Sequence, residues 1–379
     1  DNDRTYFNNV KLRTSWGLTG QQDIGDRYAY LARYELSQPN AQYPFGNTYY
    51  NTYRANGYVR NIKWEETHSF NGGLDFSIVN NRLSGTFDIY KRFTSDLLSS
   101  IPLPAGTNLT NIITTNVGKM ESQGVELSLT TTPVKTKTIT WDLSANIAYN
   151  KSKITKLNDV EDPSSEGLQT GGIAGGVGST IQRHTVGFFP SSFFVFEQKY
   201  DENGKILEGQ FVDRNGDGVI TDLDKYRYKN PAPLYSLGIT SNFNYGKFDF
   251  SFGVRSFIGN YVYNNVQTDM GYLNRLYNSS GYLANVNRPA VDLNVVDQAK
   301  LTFSDHFVKN ASFLRFDHIT AGYYFDRVFT KVPFRIYATI QNPLVSTKYD
   351  GLDPEIGNGI DNNTYPRPRT YLFGISANF

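Results

Sequence analysis

The chain has 379 residues with 37 basic against 36 acidic side chains, so a net charge of +1 singles out neither nucleic acid nor an acidic partner. It contains no cysteine, which removes disulfide staples, thiol catalysis and thiolate metal sites together. No apolar run reaches the roughly 18 residues of a transmembrane helix, and mean hydropathy is −0.46, yet strands that are apolar only at alternate positions give the same average. With 27 Tyr, 26 Phe and 33 Gly against 3 Trp and 2 Met, the composition favours β-structure.

Ten segments alternate with period two and are predicted strands: 10–19, 67–79, 82–94, 115–131, 138–150, 234–244, 247–258, 312–325, 334–342 and 370–379. The opening residues, DNDRTYFNNVKLRTSW, run into the first of them without a leader. This implies a mature N-terminus elsewhere or a piece of a longer chain. The predicted outward faces include Val10, Leu12, Trp16 and Leu18, then Phe70, Leu74, Phe76 and Ile78, then Leu83, Phe87 and Ile89. Later strands repeat the pattern, with Ile139, Trp141, Leu143, Ile147 and Tyr149, and with Phe248, Phe250, Phe252 and Val254.

Four connections are tight: VNNR, TTPVKTKT, NYGK and FDRVFTKVP. They alternate with long loops at about 20–66, 95–114, 151–233, 259–311 and 343–369. Short turns at one rim and long loops at the other are the layout of an antiparallel transmembrane β-barrel, and inside lipid such a sheet can leave no free edge. The last strand, RTYLFGISANF, keeps Tyr371, Phe373, Ile375, Ala377 and Phe379 on one face to the final residue, where a soluble strand would fray into polar sequence.

The stretches NVGKMESQGVELSL, DRNGDGVITDLD, NPAPLYSLGITSNFNYGKFDFSF, ASFLRFDHITAGYYF, NPLVSTKYDGLDPEIGN and YPRPRTYLFGISANF, in this order, resemble the C-terminal part of the barrel in SusC/RagA-type TonB-dependent transporters. The resemblance covers nearly the whole chain. It implies about ten strands of a barrel of roughly 22, with the plug domain and the TonB-contacting box outside these residues. It further implies the outer membrane of a Bacteroidetes-like bacterium, with outer-membrane lipid around the barrel and the long loops extracellular. The implied partners are a SusD-like surface lipoprotein at the loop side, TonB acting through the N-terminal part, and the remaining strands and plug. Tyr371, Phe373 and the terminal Phe379 resemble an assembly signal read by the barrel assembly machinery through strand pairing. The implied activity is energised import of oligosaccharides or oligopeptides. A passive porin and a barrel-embedded hydrolase remain as alternatives.

One motif carries metal chemistry. In DRNGDGVITDLD, Asp213, Asn215 and Asp217 offer oxygens at loop positions 1, 3 and 5, Gly218 permits the sharp turn, Val219 offers its carbonyl, and Asp224 stands at position 12. This predicts a Ca2+ loop without flanking helices, ordering the longest loop rather than catalysing. The competing reading is a turn held by Asx hydrogen bonds. The chain is not predicted to be an enzyme. His68, His184, His306 and His318 are scattered without zinc spacing, no GxSxG is present, and GGIAGGVG lacks the Lys-Ser/Thr end of a phosphate loop. In YPFGNTYYNTYR, the flat side chains of Tyr43, Tyr49, Tyr50 and Tyr53, with Arg54, suit a substrate or partner, or else pack the loop on itself.

Overall fold

A computed structural model describes residues 7–22, 27–103, 106–108, 110–158, 166–175, 178–277, 281–326, 332–362 and 364–377. Its frame is a ten-stranded sheet. The strands are β1 (Phe7–Gln21), β2 (Glu65–Ile78), β3 (Leu83–Pro102), β4 (Ile112–Lys135), β5 (Ile139–Lys156), β6 (Tyr235–Tyr245), β7 (Phe248–Ile258), β8 (Phe313–Phe325), β9 (Phe334–Thr347) and β10 (Thr370–Ala377). Every strand pairs antiparallel with its sequence neighbours, in the order β1 to β10, so the sheet is part of a barrel wall with β1 and β10 at its edges. No helix among the described residues is long and apolar enough to cross a membrane; the strands are the membrane-crossing elements.

Register turns the alternation of single strands into a continuous apolar face. Leu12 lies opposite Leu74, Leu74 opposite Phe87, Phe87 opposite Leu127, Leu127 opposite Ile147 and Ile147 opposite Leu237. On the far side of the sheet Ile319 faces Ile340, and Ile336 faces Ile375. Away from the edge strands Phe87, Ile147 and Ile336 are exposed in the chain itself, and Leu74, Leu127, Leu237, Ile319 and Ile340 are half-buried among their neighbours, because lipid and not protein is the solvent of this face. Trp141 stays on this face by donating its indole N–H to Ser241 Oγ at 3.0 Å. The opposite face takes Arg, Asp, Thr, Ser and Asn. Two glycines on that face let tyrosine rings lie against the backbone: a Cβ on Gly124 would meet the Tyr90 ring at 2.6 Å, and one on Gly374 would run into the Tyr337 ring.

Several strands run further than period two predicts. The loop expected over 95–114 is mostly hairpin, since β3 continues to Pro102 and β4 begins at Ile112. Bulges between Thr94, Leu97 and Leu98 shift the register there, so alternation broke in the sequence although pairing continued. β5 likewise extends to Lys156 and β9 to Thr347. The connection VNNR is 79–82 as expected, two others shorten to 136–138 and 246–247, and FDRVFTKVP falls largely outside the described residues; φ is positive at Val79, Asn80, Asn81 and Gly246.

The remaining long loops 157–234, 259–312 and 348–369 fold together into a cap. It contains a four-stranded sheet (168–172, 180–184, 192–195, 226–227) and a three-stranded sheet in which Tyr261–Asn264 runs parallel to Ile360–Asp361. Two short helices, α1 (Asn265–Met270) and α2 (Arg288–Leu293), complete it, capped by Asn264 and Asn287. The largest buried apolar cluster of the described residues is here: Ile173, Ile181, Phe193, Val195, Ile206, Tyr263, Val295, Leu301, Phe307, Val308 and Ile360.

Candidate functional site

The polar face of the wall is built from side chains that alternate with the lipid-facing ones. Arg13 on β1 donates to Asp75 on β2, with Nε 2.9 Å from Oδ2, and to Asp88 on β3, with Nη2 2.9 Å from Oδ1. Arg335 on β9 pairs with Asp249 on β7, Nε to Oδ1 at 2.8 Å. Such cross-strand pairs on one face hold a polar surface on a scaffold of rigid strands.

Above them a charged clasp joins cap to wall. Arg315 on β8 is 3% exposed at its side chain and lies 2.7 Å from Asp353, while Arg255 on β7 reaches Glu355 at 2.8 Å and Asp317 at 2.9 Å. Arg367, just before β10, returns to both acids, at 2.8 Å from Asp353 and 3.1 Å from Glu355. Asn342, at φ +51, accepts from Arg315 Nη1 at 2.8 Å. The two acids are the ends of the Asp-Pro-Glu in DGLDPEIGN. The sequence reading used that stretch only as a family signature and missed the clasp. The alternation of Arg255 onto the polar face was its one local signal; Arg315 reaches that face only through the bulge between Phe316 and His318, which alternation does not show.

Within the cap, Tyr226 donates to Asp305 Oδ2 at 2.7 Å and the Gln198 amide to Asp305 Oδ1 at 3.1 Å. Burial raises the Asp305 carboxyl above its ordinary value, opposed by these bonds. Next to it His306 bonds the Tyr200 hydroxyl at 3.1 Å and lies 3.4 Å from Lys309 Nζ. Burial, helped by the Lys309 charge, pushes the imidazole down to about 4.

The predicted calcium loop lies on the exposed side of the cap. The Asp213 carboxylate accepts from Gly216 N at 2.7 Å and Gly218 N at 2.8 Å; Asn215 Oδ1 accepts from Asp217 N at 3.0 Å; Asp217 Oδ1 accepts from Val219 N at 2.8 Å. Asp224 is fully buried at the base. Its Oδ1 accepts from Arg214 N and Asn215 N, its Oδ2 from Thr221 N at 2.8 Å, and with Thr221 it forms a capping box on the turn Asp222–Asp224. The Thr221 amide above all, then those of Arg214 and Asn215, holds its carboxyl below the ordinary carboxylate value. Among the described residues no three His, Cys, Asp or Glu side chains are grouped to share a metal. The donor set is all oxygen, which suits a hard cation, but three backbone bonds already engage Asp224.

Tyr43, Tyr49, Tyr50 and Tyr53 all lie on the first loop: Gln42–Phe45 pairs with Thr48–Asn51 and places Tyr43 opposite Tyr50, Tyr49 is on the other face of that hairpin, and Tyr53 pairs with Leu36. All four are exposed. Arg54 instead turns back to Glu35, Nε to Oε1 at 2.7 Å, and braces the loop. On β10, Tyr371 and Phe373 lie on the lipid-facing side, Phe373 at 82% exposure; Phe379 falls outside the described residues.

A lipid-facing antiparallel wall, a charged inner face and a folded cap on the long-loop side define part of a transmembrane β-barrel. Residues 5–218 match the family described as TonB dependent receptor-like, beta-barrel, and the chain belongs to that family, in its SusC/RagA-type branch. The TonB-dependent receptor SusC of Bacteroides thetaiotaomicron is 45% identical over 100% of this chain and 38% of its own length. A TonB-dependent receptor of Formosa agariphila is 28% identical over 97% of this chain and 39% of its own length. The solved RagAB peptide transporter superposes with a TM-score of 0.76 at 24% identity, over 97% of this chain and 41% of that one. The chain thus spans about two fifths of the length of these relatives, which are receptors and transporters rather than enzymes.

Proposed function

We propose that this chain forms part of an energised outer-membrane importer of oligosaccharides or oligopeptides, with the cap facing the cell exterior. The observation that carries it is the pairing of a charged inner wall with a cap clasped to it through Asp353 and Glu355, in a chain 45% identical to SusC. A SusD-like lipoprotein would close the cap side, the exposed Tyr43, Tyr49, Tyr50 and Tyr53 offering it or the substrate flat apolar surfaces. TonB would act from the periplasm through the plug and the remaining strands. The barrel assembly machinery would read β10, with Tyr371 and Phe373, together with the terminal Phe379.

Uptake of labelled oligosaccharides and oligopeptides by cells carrying or lacking the full transporter tests this reading, with and without a protonophore. Uptake of one class should require the transporter and collapse when the membrane is de-energised. Protonophore-insensitive uptake would favour the passive porin. Calcium, held by Asp213, Asn215, Asp217, the Val219 carbonyl and Asp224, would serve to order the exposed side of the cap where a lid partner docks.

A further inference from the structure

We propose that the lipid-facing side of β1 to β5 binds a phosphate-bearing membrane lipid, with an acyl chain along a groove over Gly72 and the phosphate on Lys91, Lys151 and Lys153. The inference stands on the transmembrane fold alone and not on the transport reading. The groove, about 520 Å³ in volume, is walled by Trp16, Phe70 and Ile89, with Thr14 below and Lys91 at its end. It exists because Gly72 carries no side chain: a Cβ there would meet only Ile89, at 3.5 Å. Among neighbours as large as Trp16 and Phe70, that gap is a cleft wide enough for a hydrocarbon chain.

Register fixes what stands above it. Three successive cross-strand rows run Thr14–Gly72–Ile89–Val125–Tyr149, then Trp16–Phe70–Lys91–Gln123–Lys151, then Leu18–His68–Phe93–Glu121–Lys153. Lysines thus enter the apolar face at the second of these rows, beside Trp16 and Phe70, while Leu18 and Phe93 continue it one row further on β1 and β3. Trp16 and Phe70 share the second row, and Tyr149 packs on Tyr235 one row below, with ring centroids 5.1 Å apart. Aromatic side chains collect at the level of the lipid headgroups, so the ammonium groups are at phosphate depth.

The charges on this patch do not cancel. Lys91 Nζ lies 2.6 Å from Glu121 Oε1 and Lys153 Nζ 3.0 Å from Glu121 Oε2, so two ammonium groups share one carboxylate. Lys151 has no carboxylate partner among the described residues, and the nearest further acid on this face is Glu66, a row beyond His68. Three cations against one anion leave room for a second anion. A soluble phosphate would leave the groove unused, whereas a phosphorylated lipid fills both parts, its chain against Trp16 and Phe70 and its headgroup on the lysines.

The test uses the full transporter purified in detergent and titrated with lipid A, followed by native mass spectrometry. Lys91→Gln, Lys151→Gln and Lys153→Gln should each weaken retention about fivefold, and dephosphorylated lipid A should bind as poorly as the triple variant binds the parent lipid. Gly72→Leu should block the groove and weaken lipid A, and inorganic phosphate should not displace it. Glu121→Gln should tighten retention by removing the competing carboxylate. Equal retention by wild type and triple variant, equal retention of the phosphate-free lipid, or displacement by inorganic phosphate would overturn the proposal. If the triple variant fails to reach the membrane, Glu121→Gln decides, and no gain there sinks it.

Discussion

The wall and the cap solve opposite problems with the same residue types. In the wall the large apolar side chains, Leu12, Trp16, Ile147 and Ile375, are the exposed ones, and the buried side chains include charged Arg315. In the cap Phe193, Val195 and Leu301 are fully buried, as in a water-soluble domain. The difference follows from the solvent on each side. Lipid supplies the apolar partner that the wall lacks within the protein, whereas the cap must bury its own apolar surface against water. Stability of the two regions should therefore be separable, and the clasp of Arg255, Arg315 and Arg367 with Asp353 and Glu355 is where they are coupled.

The largest expected separation comes from Phe193→Ala. It removes a fully buried ring from the cap core and should cost about 3–5 kcal/mol of cap stability. Limited proteolysis should then cut the cap while heat-modifiable migration of the barrel is kept; loss of both would break the comparison. Ile147→Arg places a charge in the middle of the lipid-facing row and should cost about 2–4 kcal/mol, reducing the amount of folded protein in the membrane. Here the cap should remain intact in whatever fraction inserts, measured by the same proteolysis.

A smaller effect sharpens the comparison through pH. His306 has its imidazole at about 4 in the folded cap, below its ordinary value of 6.5. The folded form thus binds fewer protons than the unfolded one between these values. Its contribution is present above pH 6.5 and is lost as pH falls from there towards 4. Cap protection in hydrogen exchange should fall over that window, and His306→Gln should flatten the fall; the wall should show no matching change. The smallest effect is expected from Asp217→Ala, which should abolish any calcium-dependent protection of residues 213–224 without touching the cap core. Protection that ignores both calcium and chelator would leave the loop as a turn closed by its own backbone bonds.

How much of this was legible in the sequence differs by region in the same way. All ten wall strands were visible because a half-buried strand writes its environment at every second residue, and the short turns were visible because VNNR and NYGK must reverse the chain at once. The ends of β3 and β4 were hidden by bulges, which break the period without ending the pairing. The oxygen donors of the 213–224 loop could be named from spacing, but not that Asp224 would turn to the backbone of Arg214, Asn215 and Thr221.

By itself, then, the sequence determined the wall: which residues face lipid, which face inward, and on which rim the chain turns tightly. Only tertiary structure decided the cap core, the clasp and the lysine patch. Ile173, Phe193, Tyr263, Phe307 and Ile360 meet from three separate loops, Arg315 meets Asp353 from across one, and Lys91, Glu121 and Lys153 become neighbours through the register of three strands. Local periodicity records the environment of a residue along its own element. It holds no record of which distant residue shares that environment, because the contact is selected by the global packing of the chain and the sum of many weak interactions.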